Sequence, residues 1–119
     1  MIITTAELKK IILKQLKTQS QVDLVDELTL TQQSETIDVY GKIVAKGHDI
    51  EFSGELQNAG RGIELENSNI NAGFFVKAFI RPYLKQVPDL VKKFLEKQYG
   101  KKFSSISITG KGLKLTVKD

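Results

Sequence analysis

Residues 74–99 constrain the fold of this chain more than any other stretch. On a helical wheel at roughly 100° per residue, Val76, Ile80, Tyr83, Leu84, Val87, Leu90, Val91, Phe94 and Leu95 gather within an arc of about 140°. An apolar stripe that broad must lie on an equally broad apolar surface, and a sheet with one apolar face supplies it. Pro82 and Pro88 each remove a backbone donor and crowd the preceding turn. One continuous or gently kinked helix explains the register of the arc, while the prolines predict a kink or a break between them, with Pro88 suited to the first position of a second helix. A strand over residues 74–80 is the alternative for the start of the segment.

The sheet is legible upstream, where the period of the pattern changes to two. Ile37, Val39, Ile43 and Ala45 alternate with polar neighbours, followed by Ile50, Phe52 and Leu56, then Ile63 and Leu65. Turn signals at Gln32-Gln33-Ser34, Gly47-His48-Asp49 and Asn58-Ala59-Gly60-Arg61-Gly62 separate them. Val22, Leu24, Leu28 and Leu30 supply a first strand, although Asp26 falls in phase and Val25 out of phase, which a bulge or a late start would reconcile. Ile70 is likewise out of phase with Ile63 and Leu65, so Asn67-Ser68-Asn69 should bend or end the fourth strand.

A first helix precedes the meander. Thr4 and Glu7 form a capping box with Ile3 and Leu8 at the staple positions, and Leu8, Ile11, Ile12 and Leu16 follow at helical spacing. After Gly100, Ile106 and Ile108 and then Leu113, Leu115 and Val117 flank Gly110-Lys111, a pair suited to a type II′ hairpin turn. The order is α-β-β-β-β-α-β-β: an α+β fold, one domain over residues 1–119, with six strands in an antiparallel sheet and two helices packed on one face.

Composition excludes several function classes. The chain has no cysteine, which removes disulfides, thiolate nucleophiles and Cys-ligated metals. His48 is the single histidine and stands in a turn without an orienting neighbour, so neither metal binding nor general-base catalysis is expected from it. Asp23, Asp26, Glu27, Glu35 and Asp38 alternate with strand residues as solvated charge does. Gly60-Arg61-Gly62 and Gly110-Lys111-Gly112 lack the spacing of a phosphate-binding loop. The expectation is a protein that is not an enzyme, with no catalytic residue, metal or cofactor. No secretory leader and no membrane span is expected either, for Met1-Ile2-Ile3 runs into a helix start and Lys77, Arg81, Lys85 and Asp89 interrupt the most apolar stretch. The expectation is a cytoplasmic or membrane-peripheral location, with the compartment itself left undecided by the sequence.

Charge is distributed unevenly. Residues 1–71 carry 7 Lys and Arg against 11 Asp and Glu, whereas residues 72–119 carry 11 against 3, so a net of −4 is followed by +8. The second part should attract an anionic partner. Within it, Phe74 and Phe75 lie off the apolar arc and Phe79 at its edge, three rings more than a core-facing stripe requires. Lys77, Arg81 and Lys85 repeat every fourth residue beside them, and Lys92 continues the flank. Rings at one end with cations alongside suit the boundary between acyl chains and anionic headgroups.

The order of elements, with the segment Ile63-Glu64-Leu65-Glu66-Asn67-Ser68-Asn69-Ile70, the long apolar helix and the closing hairpin Ser105–Val117, resembles the bacterial LmeA-like phospholipid-binding domains, which are similar to tubular lipid-binding modules. That resemblance implies a curved antiparallel sheet wrapped partly around the second helix, with an apolar groove for acyl chains between them. Phe74, Phe75, Phe79, Ile80 and Tyr83 are then the candidate ligand-binding residues, and Lys77, Arg81, Lys85 and Lys92 the candidate contacts to an anionic surface. The expected partner is a lipid or apolar small molecule, at an anionic membrane surface. The alternative is a structural or protein-interaction module that buries the same apolar patch in a homodimer or a partner. Nucleic-acid binding ranks third, because Tyr40 is the one aromatic expected to face outward from the meander.

Overall fold

The computed structural model describes residues 1–118, and the side chains of all of these except Phe75 and Phe79. Its elements run β1 (Ile2–Thr4), α1 (Thr5–Thr18), β2 (Val22–Gln32), β3 (Thr36–Ala45), β4 (His48–Ala59), β5 (Gly62–Asn71), α2 (Phe74–Tyr99), β6 (Phe103–Thr109) and β7 (Gly112–Val117). The α+β class and the order of helices and strands are as expected. Two features are new: β1, and a division of the strands into two antiparallel sheets, β2-β3-β4-β5 and β1-β7-β6.

The small sheet closes one end of the large one. Ile106 N–H donates to the Arg61 carbonyl at 2.8 Å, Ile108 N–H to the Asn58 side chain at 2.7 Å, and the Gln32 side chain to the Thr109 carbonyl at 2.7 Å. The β6 strand thus crosses the ends of the larger sheet's strands, and the amide of Asn58 takes the place of a backbone partner by also donating to the Ile108 carbonyl at 3.3 Å. Without these contacts, polar groups of β6 would face the junction unpaired.

Both predicted irregularities are bulges. The β2–β3 register shifts between Val22 and Leu24 and again between Val25 and Glu27, which returns Leu28 to the core while Asp26 stays exposed. In β5 the shift opposite Ser53 and Glu55 coincides with a left-handed Asn67, φ 53°, and restores Ile70 to the interior. The strand bends there but does not end.

Three expectations need correction. Residues 74–99 form one continuous helix with Pro82 and Pro88 both inside it, as the register of the wheel implied, so neither a break between the prolines nor a strand over residues 74–80 occurs. The apolar arc holds its register across both prolines, and Pro88 is itself buried, so packing on the sheet outweighs the two missing backbone bonds. The Gly110-Lys111 turn is not type II′, because the positive φ falls on Gly112, at 133°. A Cβ there would collide with the Ile3 carbonyl, so the glycine is set by the approach of β1. Finally, the Thr4 side chain accepts from Glu7 N–H at 3.2 Å as expected, but the Glu7 carboxylate meets the Thr4 hydroxyl.

Both helices cover the inner face of the large sheet. Leu8, Ile11 and Ile12 of α1 and Ile80, Leu84, Val91 and Leu95 of α2 are buried against it. The molecule measures 44 × 28 × 22 Å.

Candidate functional site

The two helices do not close completely over the sheet. Ile12 and Leu16 of α1 and Tyr83, Leu84, Val87 and Leu90 of α2 line a cleft floored by Ile43 and Phe52, with a volume of about 60 Å³. A smaller gap of about 20 Å³ shares Ile12, Leu16, Phe52, Leu84 and Val87 and reaches inward to Val39, Leu56 and Leu65. In the other direction, Gln21 and Ile80 pass from the cleft into an open depression of about 250 Å³, bounded by Ala45, Lys46, His48, Ile50 and Val76. These spaces form one line beneath α2, from hydrocarbon at Leu65 to the charged β3–β4 turn.

Local sequence explains the floor and the mouth. Gly41 leaves the space that the Phe52 ring occupies, for a Cβ there would run into that ring. The ring therefore lies over β3 at Gly41 and borders both inner spaces. At the mouth, Lys46 and Gly47 have φ of 50° and 76°, the pair of left-handed residues that makes a two-residue type I′ turn between Ala45 and His48. Lys46 N–H donates to the Gln21 carbonyl at 3.1 Å, and Gly47 N–H to the Asp23 carboxylate at 3.0 Å. The turn is thereby tied to the start of β2.

The candidate ligand residues fall into two groups. Ile80, buried, and Tyr83, half-buried, line the cleft. Phe74 is 80% exposed at the start of α2. Phe75 and Phe79 belong to the same helix, but their side chains lie outside the described residues. Among the candidate cationic residues, Lys77 is half-buried and Arg81, Lys85 and Lys92 are exposed. On the wheel, Phe74, Arg81, Lys85 and Lys92 occupy one flank of α2, roughly opposite Tyr83 and Val87. The cleft thus opens on the flank toward α1 and the cationic stripe runs along the other.

Sequence reasoning missed the α1 wall and the mouth. Ile12 and Leu16 carry the signature of core residues, and nothing local distinguishes a wall from a core. Gln21, Lys46 and His48 are far apart or merely turn residues until the meander brings them together. Lys14 also spans the helices, its Nζ lying 5.4 Å from the Phe94 ring centroid.

Tyr40 and Lys42 stand next to Glu51 on the opposite, outward face of the sheet. Partial burial, then the hydrogen bond and charge of Glu51, raise the Tyr40 hydroxyl above its ordinary value. The neighbouring Lys42 is raised by Tyr40, by Glu51 and by Glu27. Among the described residues, no buried side-chain nitrogen or oxygen lacks a hydrogen-bond partner, and no three His, Asp or Glu residues stand where they could hold a metal ion. No helix among them is long and apolar enough to cross a membrane. The chain matches no protein-family model, no curated protein and no solved structure.

Proposed function

We propose that this chain is a non-enzymatic binding module for a lipid or another apolar ligand, working at an anionic membrane surface. The observation that carries the reading is the run of largely apolar spaces between α1, α2 and the sheet, with Gln15, Gln19 and Gln21 on the α1 side of the cleft and Lys46 and His48 at the open depression. Apolar ligands gain most from such a site, because each buried methylene contributes about 0.8 kcal/mol and no polar group is stranded. At about 60 Å³ the cleft is far smaller than the roughly 300–1,000 Å³ of ordinary ligand pockets, so a ligand has to part the helices. Liposome sedimentation with and without anionic lipid, together with mass spectrometry of lipid co-purifying with the protein, tests the proposal. Co-purified lipid or preferential sedimentation with anionic vesicles is expected; failure of both overturns it.

The exposed Phe74 ring favours a second reading, a module that self-associates or docks a protein partner through the start of α2. Sizing in solution separates the two. A dimer that disappears on Phe74→Ser places the ring in a protein interface, whereas a monomer whose vesicle binding falls with the same substitution places it in the membrane.

A further inference from the structure

We infer that the C-terminal end of α2 is an anion site, formed by Lys93, Lys97, Lys101 and Lys102, for a ligand that carries two or more phosphoryl groups. It lies away from the cleft and stands whether or not the cleft takes a ligand.

The site is made by the way α2 ends. Lys93 and Lys97 are four residues apart and share one face of the helix. Gly100 then takes a left-handed backbone, φ 64°, which turns the chain so that Lys101 and Lys102 border the same open depression, of about 410 Å³. The loop that carries these two is fastened along its length. Gly100 N–H and Lys101 N–H both donate to the Glu96 carbonyl, the latter at 3.2 Å. The Glu96 carboxylate accepts from Phe103 N–H at 2.9 Å, and the Lys102 carbonyl accepts from Lys118 N–H at 2.8 Å. The lysine stems therefore start from a backbone that is already held in place.

Lysines at a helix C-terminus ordinarily complement its dipole, and that role takes up only part of the charge here. The helix end carries about half a unit of negative charge. Glu96, the one acidic residue lining the depression, has its carboxylate on Phe103 N–H. With both counted, the four lysines leave a surplus of about two and a half positive charges. All four are exposed, and among the described residues none of their ammonium groups has a hydrogen bond or an ion pair. A carboxylate brings one charge, so three of them on a longer skeleton are needed to match that surplus. Two phosphoryl groups match it in less space, since each brings about one to two negative charges and three strong acceptor oxygens. Lysine suits such oxygens, because its ammonium group is a point charge with three rotatable donors.

Titration calorimetry on the full chain tests this, with inorganic triphosphate, inorganic phosphate and citrate at about 0.15 M salt, where exposed charges more than about 8 Å apart are largely screened. Triphosphate is expected to bind one to one, about tenfold or more tighter than phosphate or citrate. Its binding should shift the amide resonances of Gly100, Lys101 and Lys102. Lys97→Gln with Lys101→Gln should weaken it about five- to twentyfold, the upper range of two solvent-accessible ion pairs. Lys17→Gln with Lys111→Gln removes the same charge elsewhere and should leave it unchanged. Vesicles of cardiolipin, a lipid with two phosphoryl groups in its head, then identify the source. Displacement of bound triphosphate by them assigns the site to a lipid head, and no displacement assigns it to a free anion; both support the site. Absence of triphosphate binding, equal affinity for citrate, or equal loss in the two double variants overturns it. So does equal displacement by phosphatidylglycerol vesicles of the same surface charge. None of these results bears on the apolar cleft.

Discussion

Gly41 is buried in the middle of β3, where a glycine would ordinarily weaken a strand, because the Phe52 ring lies where its side chain would be. The exchange covers the gap with an aromatic surface and gives the cleft part of its floor. Gly41→Ala is expected to push the ring off its seat, lowering the stability measured by urea denaturation by about 1–3 kcal/mol, the usual cost of overpacking. It should also weaken binding of an apolar ligand, since Phe52 borders both inner spaces. An alanine variant of unchanged stability would mean that the ring finds another rotamer. On the outer face, Tyr40 and Lys42 both hold their protons more tightly when folded, relative to ordinary values of 10.0 and 10.5. Groups of that kind support the fold below those values and lose the contribution as pH rises through them. The denaturation midpoint should therefore fall on the alkaline side of about pH 10, and Tyr40→Phe should soften the decline.

At the scale of elements, what was legible in the sequence is what local physics determines. The Ile37–Ala45 alternation, the misfit of Asp26 and the phase change at Ile70 identified strands and bulges, because a pleated strand has no freedom to hide a phase error. The wheel of residues 74–99 identified α2 and its buried face. What escaped notice depends on contacts between distant segments. Ile2 and Ile3 form a strand because Leu113 and Lys114 stand ready to pair with them, and three residues carry no period of their own. The break expected at Pro82 and Pro88 was a local penalty overruled by packing. The cleft was half legible: Ile80 and Tyr83 face it, but Ile12, Leu16 and Lys46 join them only through the fold. The junction between the sheets is of the same non-local kind. Asn58 is a turn-flanking residue in the sequence, yet in the structure it both accepts from and donates to Ile108. Asn58→Ala should cost about 1–3 kcal/mol, since two backbone groups of β6 lose their partner, and Asn58→Asp should retain the bond from Ile108 N–H alone. Hydrogen exchange at Ile108 is the direct measure. An unchanged protection factor in the alanine variant would show that β6 docks by its apolar side chains.

Across the whole molecule, the charge that divides unevenly along the chain also divides between two faces. The register places Glu27, Asp38, Glu51, Glu55, Glu64 and Glu66 on the outward face of the large sheet, with Lys42 as the cation among them. The two helices on the other face carry ten Lys and Arg and three acidic residues. Such a molecule has an electrical direction, and near an anionic bilayer it should turn its helices toward the lipid and its sheet away. The cleft opens within that helical layer, so under the membrane reading proposed above the same orientation would turn it toward the lipid. Two consequences separate a field effect from a specific contact. Vesicle binding should fall steeply as salt rises from about 0.05 to 0.5 M, where the screening length drops below about 5 Å. Reversing charge on α1, with Lys10→Glu and Lys17→Glu, should weaken vesicle binding about as much as Arg81→Glu with Lys85→Glu on α2, although the two pairs lie on different helices. If only the α2 pair matters, the stripe beside Phe74 makes a local contact, and the two-faced distribution has no part in orienting the protein.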